Sequence, residues 1–189
     1  TKAFEKLGGK VVAETFPEGT SDFSAYLQNA VNAGAGVIFS PSSTTYASLM
    51  LGQAVSMNLA IPFVAGDTWA SSVILEAVQN SDQKVYFSDF FDESDKDATQ
   101  VSKDFVTGFK AWLNANPQNL TNNGGNDIIA AVSALGYDSY MTAIEAIKKT
   151  EAGTKEQIAE ALPGVDYDGV TGKIVFDENG DAKKDIAYI

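Results

Sequence analysis

The residues best suited to bind a ligand lie in two short segments, each of which follows an apolar run. The segment GDTW places the carboxylate of Asp67 two residues before the indole of Trp69. The carboxylate could pair with an ammonium group, and the ring could cover an apolar side chain or the ammonium itself. The segment SPSST offers hydroxyls, including those of Ser42 and Ser43, at the start of a predicted helix, which suits a carboxylate or another polar group. The alternative is that the hydroxyls only cap the helix and Trp69 packs into the core.

The residue types that are missing exclude most catalytic schemes. The chain has 189 residues with no His and no Cys. It therefore lacks imidazole bases, thiol nucleophiles, disulfides and the ligands of nearly every zinc or iron site. Glycine-rich phosphate-binding loops are absent as well. We expect no cofactor and no metal. A hydrolase that uses paired carboxylates stays open, since there are 25 acidic residues.

The charge of the chain argues against two classes of partner. The formal net charge is −12, and all 13 basic residues are Lys. Such a surface repels phosphate backbones and anionic lipid, and the chain has no Arg to grip phosphate. The longest apolar runs are far too short to cross a bilayer. We expect no nucleic-acid partner and no direct insertion of this segment into a membrane.

Three weaker patterns each have a plainer interpretation. Residues 177–181 resemble the start of a calcium loop, but the sixth and twelfth positions hold Ala182 and Tyr188 instead of Gly and Glu, which favours a simple turn. Asn119 and Thr121 match the acceptor pattern for N-glycosylation within a predicted polar loop over residues 117–126. The acidic run over residues 92–97 is interpreted as a solvated helix start and not as a cation site.

The elements that position these residues alternate along the first half of the chain. Repetition of strand, loop and helix predicts a parallel α/β sheet with helices on both faces. The carboxyl ends of such strands form the usual ligand-binding edge, so both candidate loops are expected there. The predicted elements are a helix over 1–7 closed by Gly8 and Gly9, a strand over 10–16, a helix opened by Ser21 or Asp22, a strand over 36–39, a helix over 44–58, a strand over 61–65, a helix over 69–78 and a strand over 84–87.

The second half of the chain has a different pattern. Apolar residues at helical spacing predict two long helices, over 97–114 and 127–149. Thr154 and Gln157 form a capping box that opens a short helix. The last part is predicted as a strand over 173–176, a turn, and a strand over 186–189.

Several short stretches, taken in their order and spacing, resemble the leucine/isoleucine/valine-binding proteins, which have the type I periplasmic-binding-protein fold. The resemblance extends over almost the whole chain. The matching stretches are LGGKVV (7–12), DF (22–23), VIFSP (37–41), QA (53–54), IPF (61–63), GDTW (66–69), ALGYD (134–138) and GVTGKIVFDENG (169–180).

This resemblance implies two α/β lobes, joined by three crossing strands, that close over an amino acid. Residues 1–90 would be most of the second lobe, residues 91–185 the later half of the first lobe, and residues 186–189 the last crossing strand. We therefore expect the chain to be part of a longer protein whose N-terminal portion is not included here. Its incomplete first lobe would expose apolar residues near Phe105 and Ile128, which predicts self-association of the isolated chain.

The resemblance also implies a role for particular residues. In the family, an acidic residue at the position of Asp67 holds the α-ammonium of the ligand. A side chain after the preceding strand, often Tyr, lines the same pocket. Here Ser43 occupies that position, with Tyr46 one turn further on, and Ser42 and Trp69 complete the predicted ligand-binding set. A serine at this position leaves a roomier or more polar pocket.

The implied function is binding and not catalysis. The chain would belong to an extracytoplasmic solute-binding protein, in the periplasm or at the cell surface, where a lipid anchor ahead of this chain could hold it. It would capture an amino acid, with branched-chain amino acids favoured, and deliver it to an ABC permease. A ligand-sensing domain of a receptor or regulator on the same fold is the alternative.

Overall fold

The computed structural model describes residues 1–151, 153–184 and 186–189. Strands and helices alternate in the first half of the chain, and helices followed by a hairpin make up the second half. The α-helices within these ranges are α1 (Lys2–Lys6), α2 (Ser24–Asn32), α3 (Thr44–Ser56), α4 (Ser72–Val78), α5 (Gln100–Asn114), α6 (Pro117–Asn122), α7 (Ala131–Lys148) and α8 (Lys155–Ala161). The strands are β1 (Ile38–Phe39), β2 (Phe63–Ala65), β3 (Val85–Phe87), β4 (Asp166–Gly169) and β5 (Gly172–Val175).

The chain divides into two compact units, Thr1–Ser88 and Asp89–Ile189. The division lies close to residue 90, the predicted limit of the first segment. Residue 185, the predicted end of the second segment, lies outside the described residues. The assignment of these segments to lobes stays a prediction. In the described part of the chain, no helix has the length and hydropathy that crossing a bilayer requires.

The first unit contains a parallel sheet in the order β1-β2-β3. Phe63 is in register with Ile38 on one side and with Val85 on the other. Each pair of neighbouring strands is joined through a helix, which is the connection that parallel strands need. The predicted parallel α/β arrangement is therefore confirmed.

The core of this unit lies on one face of the sheet. Phe63 and Ala65 of β2 are buried against side chains of α2, α3 and α4, among them Leu27, Leu51 and Ile74. The other face is less covered, because strand side chains alternate between the faces. Phe39 of β1 and Tyr86 of β3 point to that face, and both stay exposed.

Residues 10–16, predicted as a strand, have irregular backbone instead. The backbone hydrogen bonds of the described residues do not join this segment to β1. Two of its side chains are anchored: the Glu14 carboxylate accepts from Asn29 Nδ2 at 2.8 Å, and the Phe16 ring centroid lies 5.0 Å from that of Phe23 and 5.2 Å from that of Tyr46. A strand requires a paired neighbour, and residue alternation alone does not reveal whether that pairing forms.

Two predicted helix caps are confirmed, and one predicted loop contains a helix that the sequence analysis did not identify. Gly8 ends α1 with a φ of +91°, a conformation that glycine adopts without steric cost. Thr154 opens α8, where its hydroxyl accepts from the N–H of Gln157. The predicted loop over 117–126 is wrong in its first half: the side chain of Asn116 caps α6, which has Pro117 in its first turn.

The second unit is built mainly from α5 and α7. Phe91, Ile129, Ala134 and Val170 are buried together, and Phe105 packs against them half-buried. Glu93 connects α5 to the segment just before α7, because its carboxylate accepts from Lys110 Nζ at 3.1 Å and from the N–H of Ile129 at 3.0 Å. Phe105 itself is half-buried, but Val101 and Trp112 of the same helix are exposed, and Ile128 is exposed as predicted.

The predicted strand over 173–176 is confirmed as β5, within one residue at each end, but its partner in the hairpin is not the predicted one. β5 pairs antiparallel with β4, which the sequence analysis did not identify. The predicted turn over 177–181 is confirmed, since Asp177 Oδ1 accepts from the N–H groups of Asn179 and Asp181. Of the predicted strand over 186–189, Tyr188 alone forms a bridge, and its partner is Asp89.

Candidate functional site

The two candidate loops begin at neighbouring strand ends of the first unit. The N–H of Ser40, just after β1, donates to Val64 O of β2 at 3.0 Å. β1 and β2 run parallel, so their carboxyl ends meet at one edge of the sheet. The loop over residues 40–44 and the loop over residues 66–69 therefore start beside each other, at the edge where ligands bind in sheets of this type.

Asp67 begins a single 3-10 turn directly after β2. The turn is closed by hydrogen bonds from Trp69 N to Gly66 O at 3.1 Å and from Ala70 N to Asp67 O at 3.0 Å. The Asp67 side chain is half-buried. In the described residues its carboxylate has neither a hydrogen bond nor an ion pair. Because this carboxylate reaches the surface and has no protein partner, it is available to a cation or a donor at this edge of the sheet.

The loop after β1 presents hydroxyls at the start of α3. Ser43 is the N-cap residue, with extended backbone, and its side chain does not cap the helix. Ser40 is buried and donates from its hydroxyl to Ser42 Oγ at 2.9 Å. The first backbone N–H groups of α3 have no acceptor within the helix, which gives this end partial positive charge. The loop can therefore donate to a polar or anionic group.

Trp69 does not occupy the predicted position at a pocket wall. Its side chain is 0% exposed, and its ring lies 6.2 Å from that of Phe63 in the core of the first unit. The indole Nε1–H donates to Ser42 O at 3.0 Å. The prediction is corrected on this point because a residue with no accessible surface cannot touch a ligand there. The large ring is buried for its apolar area, and its N–H requires an acceptor inside.

A second hydrogen bond also joins the two loops. Thr44 Oγ1 donates to Thr68 O at 3.0 Å. The sequence analysis missed this contact, because the two residues are 24 positions apart and no spacing rule connects them. Together with the Trp69–Ser42 bond, it holds the loop that carries Ser42 and Ser43 beside the turn that carries Asp67.

Tyr46 lies one turn into α3, as expected, but its contacts are with a different segment. Its hydroxyl accepts from the N–H of Gly19 at 2.9 Å, and its ring packs edge-on against Phe16 and Phe23. These contacts attach α3 to the segment that precedes α2. A role for Tyr46 in the pocket stays a prediction.

The weaker candidate patterns serve local structure. In the acidic run, Asp92 accepts from Ser94 and Asp95 accepts from Asp97, which stabilises the turns before α5. Asn119 lies within α6, where its side-chain N–H donates to Trp112 O. Across the described ranges, acidic residues form no group of three or more that could hold a metal ion.

A family model described as periplasmic binding protein matches residues 1–188. Curated proteins gave no match. Among solved structures, the chain is similar to the leucine-binding protein LivK of Thermotoga maritima, with 29% identity and a TM-score of 0.81, over 97% of this chain and 49% of that one. It is similar to LivJ of Streptococcus pneumoniae in complex with isoleucine, with 26% identity and a TM-score of 0.77, over 99% and 50%.

A third structure shares the fold alone. It is a solute-binding protein of R. palustris in complex with benzoate, with 16% identity and a TM-score of 0.74, over 97% of this chain and 48% of that one. The chain thus spans about half the length of each of these solved structures. Since the family model covers nearly every residue, the chain belongs to the periplasmic binding protein family and has its type I α/β fold.

Proposed function

We propose that the complete protein is an extracytoplasmic solute-binding protein that captures an amino acid, with branched-chain amino acids favoured, and delivers it to an ABC permease. The family consists of solute-binding proteins, and LivK and LivJ are binding proteins for branched-chain amino acids. Within this proposal, residues 1–90 belong to the second lobe, residues 91–185 to the first, and residues 186–189 to the last crossing strand. The proposal also includes a periplasmic or lipid-anchored location.

The observation that carries the proposal is the environment of the Asp67 carboxylate. Its half-buried carboxylate has no partner in the described part of the chain, at the sheet edge where ligands bind. An α-ammonium group would supply the missing charge and up to three N–H donors. We assign this contact to Asp67.

The hydroxyl loop supplies the second element of the proposed site. Ser42 and Ser43 can donate to a polar group of the ligand, and the N-terminus of α3 adds a favourable potential for an anionic one. The small Ser43 side chain leaves room for a branched apolar side chain. We include Tyr46 as a more distant residue of the same pocket.

Titration calorimetry of the complete protein with each of the common amino acids tests the ligand class. We expect leucine, isoleucine or valine to bind, with the other amino acids weaker. Benzoate belongs in the same panel, because a protein of this fold holds it. Binding of benzoate with no binding of any amino acid would refute the proposed ligand class.

Replacing Asp67 tests the assigned charge contact. We expect Asp67→Ala to weaken amino-acid binding by roughly 2–5 kcal/mol, because a desolvated ammonium would lose its partner. This corresponds to an increase in Kd of about 30-fold to several thousand-fold.

The matched control is Asp82→Ala, which removes the same charge from an exposed position of the same unit. It should leave the Kd unchanged within about twofold, since an exposed distant charge contributes little. A loss below about 0.5 kcal/mol for Asp67→Ala would remove this residue from the site.

A further inference from the structure

The two loops of the candidate site are held together by a side chain from the core. Trp69 is completely buried, and its ring packs beside Phe63 under the sheet edge. Its one polar atom, Nε1, donates to the backbone carbonyl of Ser42 at 3.0 Å. The indole therefore connects a rigid part of the first unit to the backbone of the loop that carries the hydroxyls.

The same residue is also fixed in relation to Asp67. Trp69 and Asp67 belong to one 3-10 turn, and Trp69 N donates to Gly66 O at 3.1 Å to close it. A shift of the indole would move the loop over 40–44, the turn over 67–69, or both. The Thr44–Thr68 hydrogen bond joins the same two segments at a second point.

A purely apolar role does not account for this arrangement. Core filling alone would be satisfied by a phenylalanine, whose ring needs no acceptor. A buried indole N–H without an acceptor would be costly. The hydrogen bond to Ser42 O therefore restricts the positions of both the indole and the Ser42 backbone. In the described contacts, the indole is the donor to this carbonyl.

We infer that Trp69 is a positioning residue for the amino-acid site: without touching the ligand, it sets the Ser42–Ser43 loop beside Asp67 through its indole N–H. This inference rests on the proposed function. It predicts that affinity depends on the N–H of residue 69 more than on the volume of the core.

The test uses Trp69→Phe in the complete protein, titrated with leucine and isoleucine. We expect the Kd to rise roughly 5- to 20-fold, because the variant loses one hydrogen bond and with it the order of the loop over 40–44. The control is Ile74→Ala, which truncates a buried residue of α4 in the same core and should also lower stability. It should change the Kd by less than about twofold, because it leaves the loop bonds intact.

A second variant tests the same inference if the Trp69→Phe protein does not fold. Thr44→Val removes the other bond between the loops and leaves the core unchanged. We expect a rise in Kd of roughly 3- to 10-fold. Amide hydrogen exchange without ligand should show faster exchange over residues 42–45 in Trp69→Phe and in Thr44→Val, but not in Ile74→Ala.

The outcomes separate this inference from the proposed function. If the wild-type protein binds leucine or isoleucine while Trp69→Phe and Thr44→Val match Ile74→Ala in Kd, the inference is overturned and the proposed function stands. Unchanged exchange over residues 42–45 overturns it as well. If the wild type binds no amino acid, both fail together.

Discussion

Two aspartates illustrate how the surroundings of a carboxylate distinguish a structural role from a candidate binding role. Asp138 is 2% exposed and accepts three hydrogen bonds. They come from Val170 N at 2.7 Å, Thr171 N at 2.8 Å and Thr171 Oγ1 at 2.7 Å. Asp67 is more exposed and has no such donors among the described residues. A satisfied buried carboxylate stabilises a loop, whereas an unsatisfied one is available to a ligand.

The turn between β4 and β5 packs closely against Asp138. A Cβ atom at Gly169 would lie 2.7 Å from both carboxylate oxygens of Asp138. Lys184 Nζ donates to Thr171 Oγ1 at 2.6 Å, so the hydroxyl is held on both sides. Burial lowers the pKa of Lys184, and the nearby charge of Asp138 opposes this effect. The glycine, the aspartate and the threonine hence act as one structural group.

We predict that Asp138→Ala lowers the free energy of unfolding by about 3 kcal/mol, because it leaves buried N–H groups of the hairpin without an acceptor. Denaturant unfolding monitored by circular dichroism measures this loss. Asp177→Ala is the control: it removes a carboxylate that also accepts two backbone N–H groups, but in an exposed turn that water can solvate. Equal losses for the two variants would contradict the structural role of Asp138.

At the scale of elements, the last residues are attached to the start of the second unit. Asp89 N donates to Tyr188 O at 2.9 Å, and Tyr188 N donates to Asp89 O at 2.8 Å. The Tyr188 hydroxyl donates to Asp95 Oδ2 at 2.8 Å. Burial, together with the bond to Asp95 and its negative charge, raises the pKa of Tyr188 to about 12. The segment is thus held by one two-way backbone bridge and one side chain.

This attachment predicts a dependence of stability on alkaline pH. The pKa of an unfolded tyrosine is about 10, so the folded state retains the proton between about pH 10 and 12 while the unfolded state has lost it. The contribution of Tyr188 to stability is complete below about pH 10 and is lost as the pH rises toward 12.

We expect the stability of the wild type to fall more steeply than that of Tyr188→Phe between pH 9.5 and 12 in denaturant titrations. Tyr86→Phe, which replaces an exposed tyrosine in β3, serves as the reference variant and should behave like the wild type. Parallel pH profiles for Tyr188→Phe and the wild type would show that the hydroxyl does not stabilise this segment.

At the scale of the whole chain, each unit leaves an apolar surface exposed. In the first unit, Phe39 on one face of the sheet is 66% exposed, although parallel sheets are normally covered on both faces. In the second unit, Val132 and Tyr140 lie eight positions apart on α7, where they share a helix face, and each is 66% exposed. Surfaces of this kind mark places where other protein packs.

We therefore predict that the 189-residue chain, expressed alone, self-associates. Light scattering should show a mean mass that rises with concentration, and the double variant Val132→Lys/Tyr140→Lys should reduce this rise. The control is Leu75→Lys, which changes an exposed leucine on α4. A monodisperse monomer over the whole concentration range would contradict the prediction.

The sequence by itself determined the class of fold and the type of chemistry. Alternating apolar runs and helical spacing predicted β1, β2, β3 and the helices between them, because short-range periodicity reflects which face of an element is buried. The lack of His and Cys excluded most catalytic schemes, and GDTW identified Asp67 as a candidate ligand contact. Capping residues such as Gly8 and Thr154 were also readable, since their hydrogen bonds are local.

Only the tertiary structure decided which side chains are satisfied and which strands pair. Residues 10–16 have a strand pattern but pair with no strand among the described residues, and β4 became visible only through its pairing with β5. The tertiary structure also shows that Trp69, predicted as a pocket wall, is a buried residue that donates to Ser42 O. Each outcome depends on contacts between residues distant in sequence, and periodicity contains no information about such contacts.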